Sequence, residues 1–197
     1  DTIPEKHLWN VASGTLPQGM GRGCAYGILL AEAMAMKPFQ SIINPDDKMF
    51  ANPANMQEAI KEYCKKSGQH VPEGYAEICR CIFESLALRY RQVFGYLKEM
   101  ASFPINTLHI IGGGSLNKYL NQFTANSTGV EVLAGPQECT ALGNIMMQAK
   151  SAGDVDGIFD MRRIIADSVI MTRFEPQDKE LWDEAYKKYL EIVNIKD

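Results

Sequence analysis

Hydrophobic positions recur every three to four residues through most of the chain and cluster in a strand-like way in one short region. Met56, Ala59, Ile60, Tyr63 and Cys64 keep helical spacing from Met56 to Lys66. Asn55 is placed to cap that helix and Ser67-Gly68 to end it. Glu77 to Met100 carries the longest helical pattern. Ile78, Ile82, Leu86, Val93 and Leu97 form its stripe, widened by Phe83, Tyr90 and Phe94, with Arg80, Glu84, Arg91 and Lys98 on a solvated face. Thr107 to Ile111 (TLHII) is short, apolar and β-branched, and predicts a buried strand in which His109 is a satisfied core histidine. Three glycines follow, and Ser115 is placed to cap a helix through Leu116, Tyr119, Leu120 and Phe123 that stops at Gly129. Val130 to Ala134 predicts a second strand. Gly135-Pro136 then turns the chain into helices over about 137–152 and 158–169. A last amphipathic helix runs from Pro176 to about Val193, with Trp182, Ala185, Tyr186, Tyr189 and Ile192 inward.

Strand, glycine loop, helix, strand and helix over 107–152 make an α/β crossover unit with parallel strands. Two strands are few for so many helices. Either more strands lie in the N-terminal part, or the sheet is completed by polypeptide outside this chain. Residues 1 to about 30 carry Gly14, Gly19, Gly21, Gly23 and Gly27 with Pro4 and Pro17, and predict little regular structure. Residues 42–55 hold two Asn-Pro pairs and predict a loop of defined turns. Asp46 and Asp47, adjacent in that loop, read as turn chemistry rather than as a metal site.

Composition narrows the class. Hydrophobic residues are 46% and charged residues 22%, ordinary for a globular chain of 197 residues. A chain of this size buries roughly 70% of its unfolded surface, enough for a real core. Twenty Lys and Arg against 24 Asp and Glu leave a net charge of −4, which argues against nucleic acid as a partner. The most apolar stretch, Cys24 to Met36, is too short to span a membrane and contains Glu32. The sequence opens without the basic-then-apolar layout of a secretory signal, so a cytoplasmic location is expected. Five cysteines (24, 64, 79, 81 and 139) fit no disulfide framework or zinc spacing and are expected as reduced thiols, with Cys79 and Cys81 pointing in different directions.

The strongest chemical feature is Gly112-Gly113-Gly114-Ser115. Glycines let backbone approach a ligand closely, and the loop opens into a helix whose first N–H groups lack intrahelical partners. Together these suit a phosphate, or the ribose and base beside it; a tight ligand-free turn is the competing reading. Neither the dinucleotide fingerprint nor the P-loop pattern is met. Gly19, Gly21 and Gly23 with Arg22 fail as a phosphate loop too, since no strand precedes them and no Lys-Ser/Thr follows.

Residues 110–149 (IIGGGSLNKYLNQFTANSTGVEVLAGPQECTALGNIMMQA) resemble the C-terminal, ATP-binding region of the FGGY carbohydrate kinases. That resemblance implies an α/β lobe of the actin-like, ribonuclease H-like ATPase fold, with helices on a mixed sheet. It implies that Gly112, Gly113 and Gly114 line the adenosine side of ATP and that Asn117 lies near the base. It also implies that Glu138 to Gly143 form a connecting helix whose small residues Ala141 and Gly143 allow a close crossing; close packing without a hinge is the alternative. Residues 41–90, with the double Asn-Pro loop, the Lys-Ser-Gly-Gln turn and the segment Arg80 to Leu88, are similar to the rhamnulokinase branch in particular. The likeness covers about residues 39–175. Residues 1–30 depart from it, through divergence or a shifted reading frame, so the expected division is 1–30 as a poorly matching segment and 31–197 as the kinase C-terminal domain.

The activity so implied is transfer of the γ-phosphoryl of ATP, with Mg²⁺, to L-rhamnulose. In this family the catalytic Asp and most sugar contacts come from the other, N-terminal lobe. No catalytic or metal-ligating residue is therefore assigned here, and the isolated chain is expected to be inactive. L-fuculose or xylulose as the sugar, or a stand-alone binding or dimerisation module, are the alternatives; a homodimer is compatible with each.

Overall fold

The computed structural model describes residues 22–193. The chain divides into two compact units, residues 1–89 with 184–197, and residues 90–183.

The described part of the first unit is helical. It holds α1 (Arg22–Ala35), a 3₁₀ turn (Lys48–Phe50), α2 (Met56–Lys66), the first part of α3 (Gly74–Met100) and the last part of α7 (Lys179–Val193). Helix α1 departs from the expectation of little structure up to residue 30. Each glycine costs a helix only about 1 kcal/mol, and the leucines and alanines from 29 onward favour it; Leu30 and Ala33 are buried. The expectations for residues 1–21, Gly19 and Gly21 among them, lie outside the described residues. Asn55 caps α2 as expected, its Oδ1 accepting from the N–H groups of Gln57 and Glu58. Asp47 caps the 3₁₀ turn by accepting from Met49 N–H, and Asp46 pairs with Arg89. Asp47 is thus turn chemistry as expected, whereas the Asp46 carboxylate makes a long-range ion pair.

Ile43, Ile60, Cys64, Ile78 and Cys81 form one core cluster, with Phe50, Tyr63 and Ile82 against it. Beside it the chain from 39 to 43, half-buried at 39–40 and buried at 41–43, has no regular structure, so its polar backbone needs side-chain partners. Phe39 N–H donates to Glu84 Oε2 at 2.8 Å, and Ile43 N–H to Ser85 Oγ at 3.0 Å. The Gln69 carboxamide clasps Ile42, accepting from its N–H at 2.9 Å and donating to its carbonyl at 2.8 Å. Arg80 donates to Glu84 at 2.7 Å and to the Met34 carbonyl at the end of α1, also at 2.7 Å. Glu84 is thus 1% exposed, not on a solvated face as its charge predicts. Burial pushes its carboxyl above the usual range, while Arg80 pulls it back.

The second unit is built on a small mixed sheet, with strand order β1-β2-β3. β1 (Thr107–Ile110) runs parallel to β2 (Glu131–Ala134), as the crossover pattern predicts. β3 (Thr172–Phe174) adds an antiparallel edge that the sequence reading lacked. Between the strands lie a 3₁₀ turn (Gly112–Leu116), α4 (Lys118–Thr128), α5 (Cys139–Ala152) and α6 (Ile158–Ser168). Ala125 of α4 meets Val132, Ala134 and Phe174, with Leu108 and Ile110 beside them. Strand side chains alternate, so His109 falls on the opposite face from Leu108 and Ile110. It is exposed, which corrects its reading as a core residue. Gly129 ends α4 in the left-handed conformation at φ 69°, as expected.

Other stripe residues also differ. Val93 and Leu97 of α3 are exposed, while the buried positions of that helix are Ile78, Cys81, Phe83, Glu84, Ser85, Ala87, Leu88 and Phe94. In α7, Trp182, Ala185, Tyr189 and Ile192 are buried as predicted. Cys64, Cys79, Cys81 and Cys139 are free thiols. Burial pushes the Cys79 thiol up to about 11. No helix among the described residues is long and apolar enough to cross a membrane.

Candidate functional site

The site lies where β1 and β2, being parallel, both deliver their C-terminal ends. Such ends are where open α/β sheets receive ligands. The loop after β1 is Gly112–Leu116, and the loop after β2 begins at Gly135-Pro136, a cis peptide. Backbone hydrogen bonds tie them together: Gly135 N–H to the Ile110 carbonyl at 2.8 Å and Gly112 N–H to the Pro136 carbonyl at 3.1 Å. The sequence reading missed this cross-link, which joins loops more than twenty residues apart.

The glycine loop is a 3₁₀ turn rather than the start of a helix. Ser115 does not cap α4. Its hydroxyl turns back and donates to the Gly112 carbonyl at 2.7 Å, closing the turn. The cap is Asn117, whose Oδ1 accepts from Leu120 N–H at 3.1 Å while its own N–H donates to the Gly114 carbonyl at 3.2 Å. Asn117 therefore joins the loop to α4. Asn121, not singled out by the sequence, donates from Nδ2 to the Ser115 carbonyl at 2.9 Å. The sequence carries no signal for it: the buried side of α4 is Asn121, Thr124, Ala125, Asn126 and Ser127, whereas the predicted apolar stripe of Leu116, Tyr119, Leu120 and Phe123 is exposed or half-buried.

The three glycines play different parts. Gly112 stands at φ +74°, a conformation that side chains disfavour. Gly113 and Gly114 have no positive φ, so backbone conformation does not demand glycine there. Crowding does not demand it either. A Cβ on Gly113 would meet nothing within 4 Å, and one on Gly114 only the Ile110 side chain at 3.8 Å. What the missing side chains do is keep the outer face of the loop bare. Residues 112–117 include no titratable group, so this loop can bind through backbone and neutral polar atoms but supplies no general acid or base.

Ala141 and Gly143 lie on α5, none of whose residues is buried. A Cβ on Gly143 would meet nothing within 4 Å, so no close helix crossing occurs there among the described residues. No group of three or more His, Cys, Asp or Glu suited to a metal ion occurs among the described residues.

The site is thus a bare glycine loop between a parallel strand and a capped helix. Residues 24–152 match the FGGY family of carbohydrate kinases, C-terminal domain, and the chain belongs to that family. It is 54% identical over 169 residues to a rhamnulokinase of Bacteroides thetaiotaomicron, covering 86% of this chain and 35% of that protein. It is 45% identical over 151 residues to a rhamnulokinase of Pectobacterium carotovorum, covering 77% of this chain and 30% of that protein. The crystal structure of xylulose kinase from Rhodospirillum rubrum superposes with a TM-score of 0.59 at 17% identity, over 95% of this chain and 37% of that one. The fold is the α/β lobe expected, helices on a small mixed sheet of the actin-like ATPase type. The chain spans about a third of the length of these relatives.

Proposed function

We propose that residues 31–197 form the nucleotide-side lobe of a cytoplasmic rhamnulokinase, which transfers the γ-phosphoryl of ATP to L-rhamnulose to give L-rhamnulose 1-phosphate. Gly112, Gly113 and Gly114 line the adenosine side of ATP, and Asn117, held at the head of α4, lies near the base. The observation that carries this reading is the bare outer face of the loop at Gly113 and Gly114, where neither backbone conformation nor crowding accounts for glycine. Identity to proteins named rhamnulokinase supports the choice of sugar. ATP fits the loop as a backbone-lined cradle. Mg²⁺, which disperses phosphate charge in such transfers, has no ligand cluster among the described residues. The base that accepts the sugar hydroxyl proton comes from polypeptide outside this chain.

The test is a titration of ¹⁵N-labelled chain with ATP. The Gly112–Gly114 amides should shift in the unmodified chain, and the response should be lost in Gly113→Val. Stability should change by no more than about 0.5 kcal/mol, as for other open surface sites. A variant that binds ATP as the parent does would sink the assignment. Mixed with ATP, Mg²⁺ and L-rhamnulose, the chain alone should release no ADP above background.

A further inference from the structure

Asn121 sits on the buried face of α4 at 1% exposure, one turn beyond the cap residue Asn117. Its side chain reaches back to the glycine loop. The atom facing the Ser115 carbonyl must be Nδ2, because a carbonyl can only accept. That leaves Oδ1 buried with no donor among the described residues. A half-satisfied buried carboxamide is a poor choice for stability, since an apolar side chain fitted to the site would leave no orphaned carbonyl. A local rule broken in this way points toward function.

The geometry of the loop says what that function is. Ser115 is bonded at both ends: its carbonyl accepts from Asn121 at 2.9 Å, and its hydroxyl holds the Gly112 carbonyl at 2.7 Å. Gly112 is in turn tied to Pro136. Fixing the Ser115 carbonyl therefore fixes the turn that presents Gly113 and Gly114. We propose that Asn121 is the positioning residue of the glycine loop, and that nucleotide affinity depends on the hydrogen bond from its Nδ2 to the Ser115 carbonyl. The inference rests on the nucleotide reading of this loop. Asn121 itself is too buried to touch the ligand.

Three variants test it. Asn121→Asp replaces the donor by an acceptor facing a carbonyl. Asn121→Leu deletes the donor and keeps the branched shape at a larger volume, and it carries the test alone should the first not fold. Thr124→Val alters a fully buried polar residue of the same helix, whose hydroxyl donates to Leu120 within α4 and not to the loop. The readouts are the ¹H–¹⁵N shifts of Gly112–Gly114 without ATP, the ATP dissociation constant and the thermal midpoint. Both Asn121 variants should displace the loop amides in the ATP-free chain and weaken ATP binding about tenfold or more, the scale of one lost hydrogen bond. Asn121→Leu should do so even where its larger side chain lowers the thermal midpoint as Thr124→Val does. Thr124→Val should lower the midpoint and leave the loop shifts and ATP affinity within about twofold. An Asn121→Leu chain with unmoved loop amides and parental ATP affinity overturns the proposal. If the unmodified chain shows no response of these amides to ATP, the nucleotide reading fails, and the dependence of affinity on Asn121 falls with it.

Discussion

Among the described residues of the first unit, 22–89 and 184–193, only Tyr26 and Met56 are large hydrophobic side chains left exposed. In residues 90–183 the exposed set is long. Tyr90, Val93, Leu97 and Met100 follow one another at helical spacing along α3, and Phe103, Ile145, Phe159 and Ile170 lie further on. The first unit also satisfies its buried polar backbone with its own side chains, Glu84, Ser85 and Gln69. The second leaves Asn121 Oδ1 and Ser127 Oγ buried without partners. Among the described residues, the better-buried unit carries no counterpart of the Gly112–Gly114 loop, and the unit that carries that loop leaves more apolar surface exposed.

The largest expected effect lies in the first unit. Leu88 is fully buried, and Leu88→Ala should cost about 3 kcal/mol through lost burial and a residual cavity. Urea denaturation followed by amide exchange of residues 22–89 measures it. A cost below about 1 kcal/mol would mean that this core is looser than its burial implies, and the contrast between the units would fail.

A smaller effect tests the polar part of that core. Burial raises the Glu84 carboxyl above its ordinary value of 4.5, with Arg80 opposing. The folded state then holds the proton more tightly than the unfolded state does. Stability is therefore fully present below about 4.5 and declines as pH rises through the raised value. Glu84→Gln cannot titrate, so the difference between parent and variant should fall with rising pH over that window and then level off. A difference that rises with pH would show that the pairing with Arg80 outweighs burial.

These particulars also show what a sequence discloses. Local devices were readable, because each depends on a few neighbouring residues: the Asn55 cap, the Gly129 stop, the parallel pair β1 and β2, and the glycine loop. Glu84 was not, because the backbone group it accepts from, Phe39 N–H, lies forty-five residues away. β3 was not, because three residues of which two are exposed carry no period. The sequence reads Ser115 as the cap where the structure has Asn117, because both are good caps and only the 3₁₀ turn decides between them. Asn121 was passed over because a polar residue in a helix reads as solvated until its burial is seen.

The smallest expected effect has the opposite sign. Gly143 lies in α5, away from the helix ends, with open space where a Cβ would go. Gly143→Ala should stabilise this chain by about 0.5–1 kcal/mol, since alanine loses less backbone entropy than glycine on entering a helix. Little else can change, because no neighbour lies near enough to be displaced. Thermal denaturation of parent and variant at two protein concentrations measures the difference. A destabilisation would mean that something covers this helix face in solution. If that destabilisation grew with protein concentration, the cover would be a second copy of the chain, and the exposed surface of the site-bearing unit would have to be redrawn. A gain that is independent of concentration keeps α5 as the uncovered helix described above, in contrast to α2 and its buried Ala59, Ile60 and Cys64.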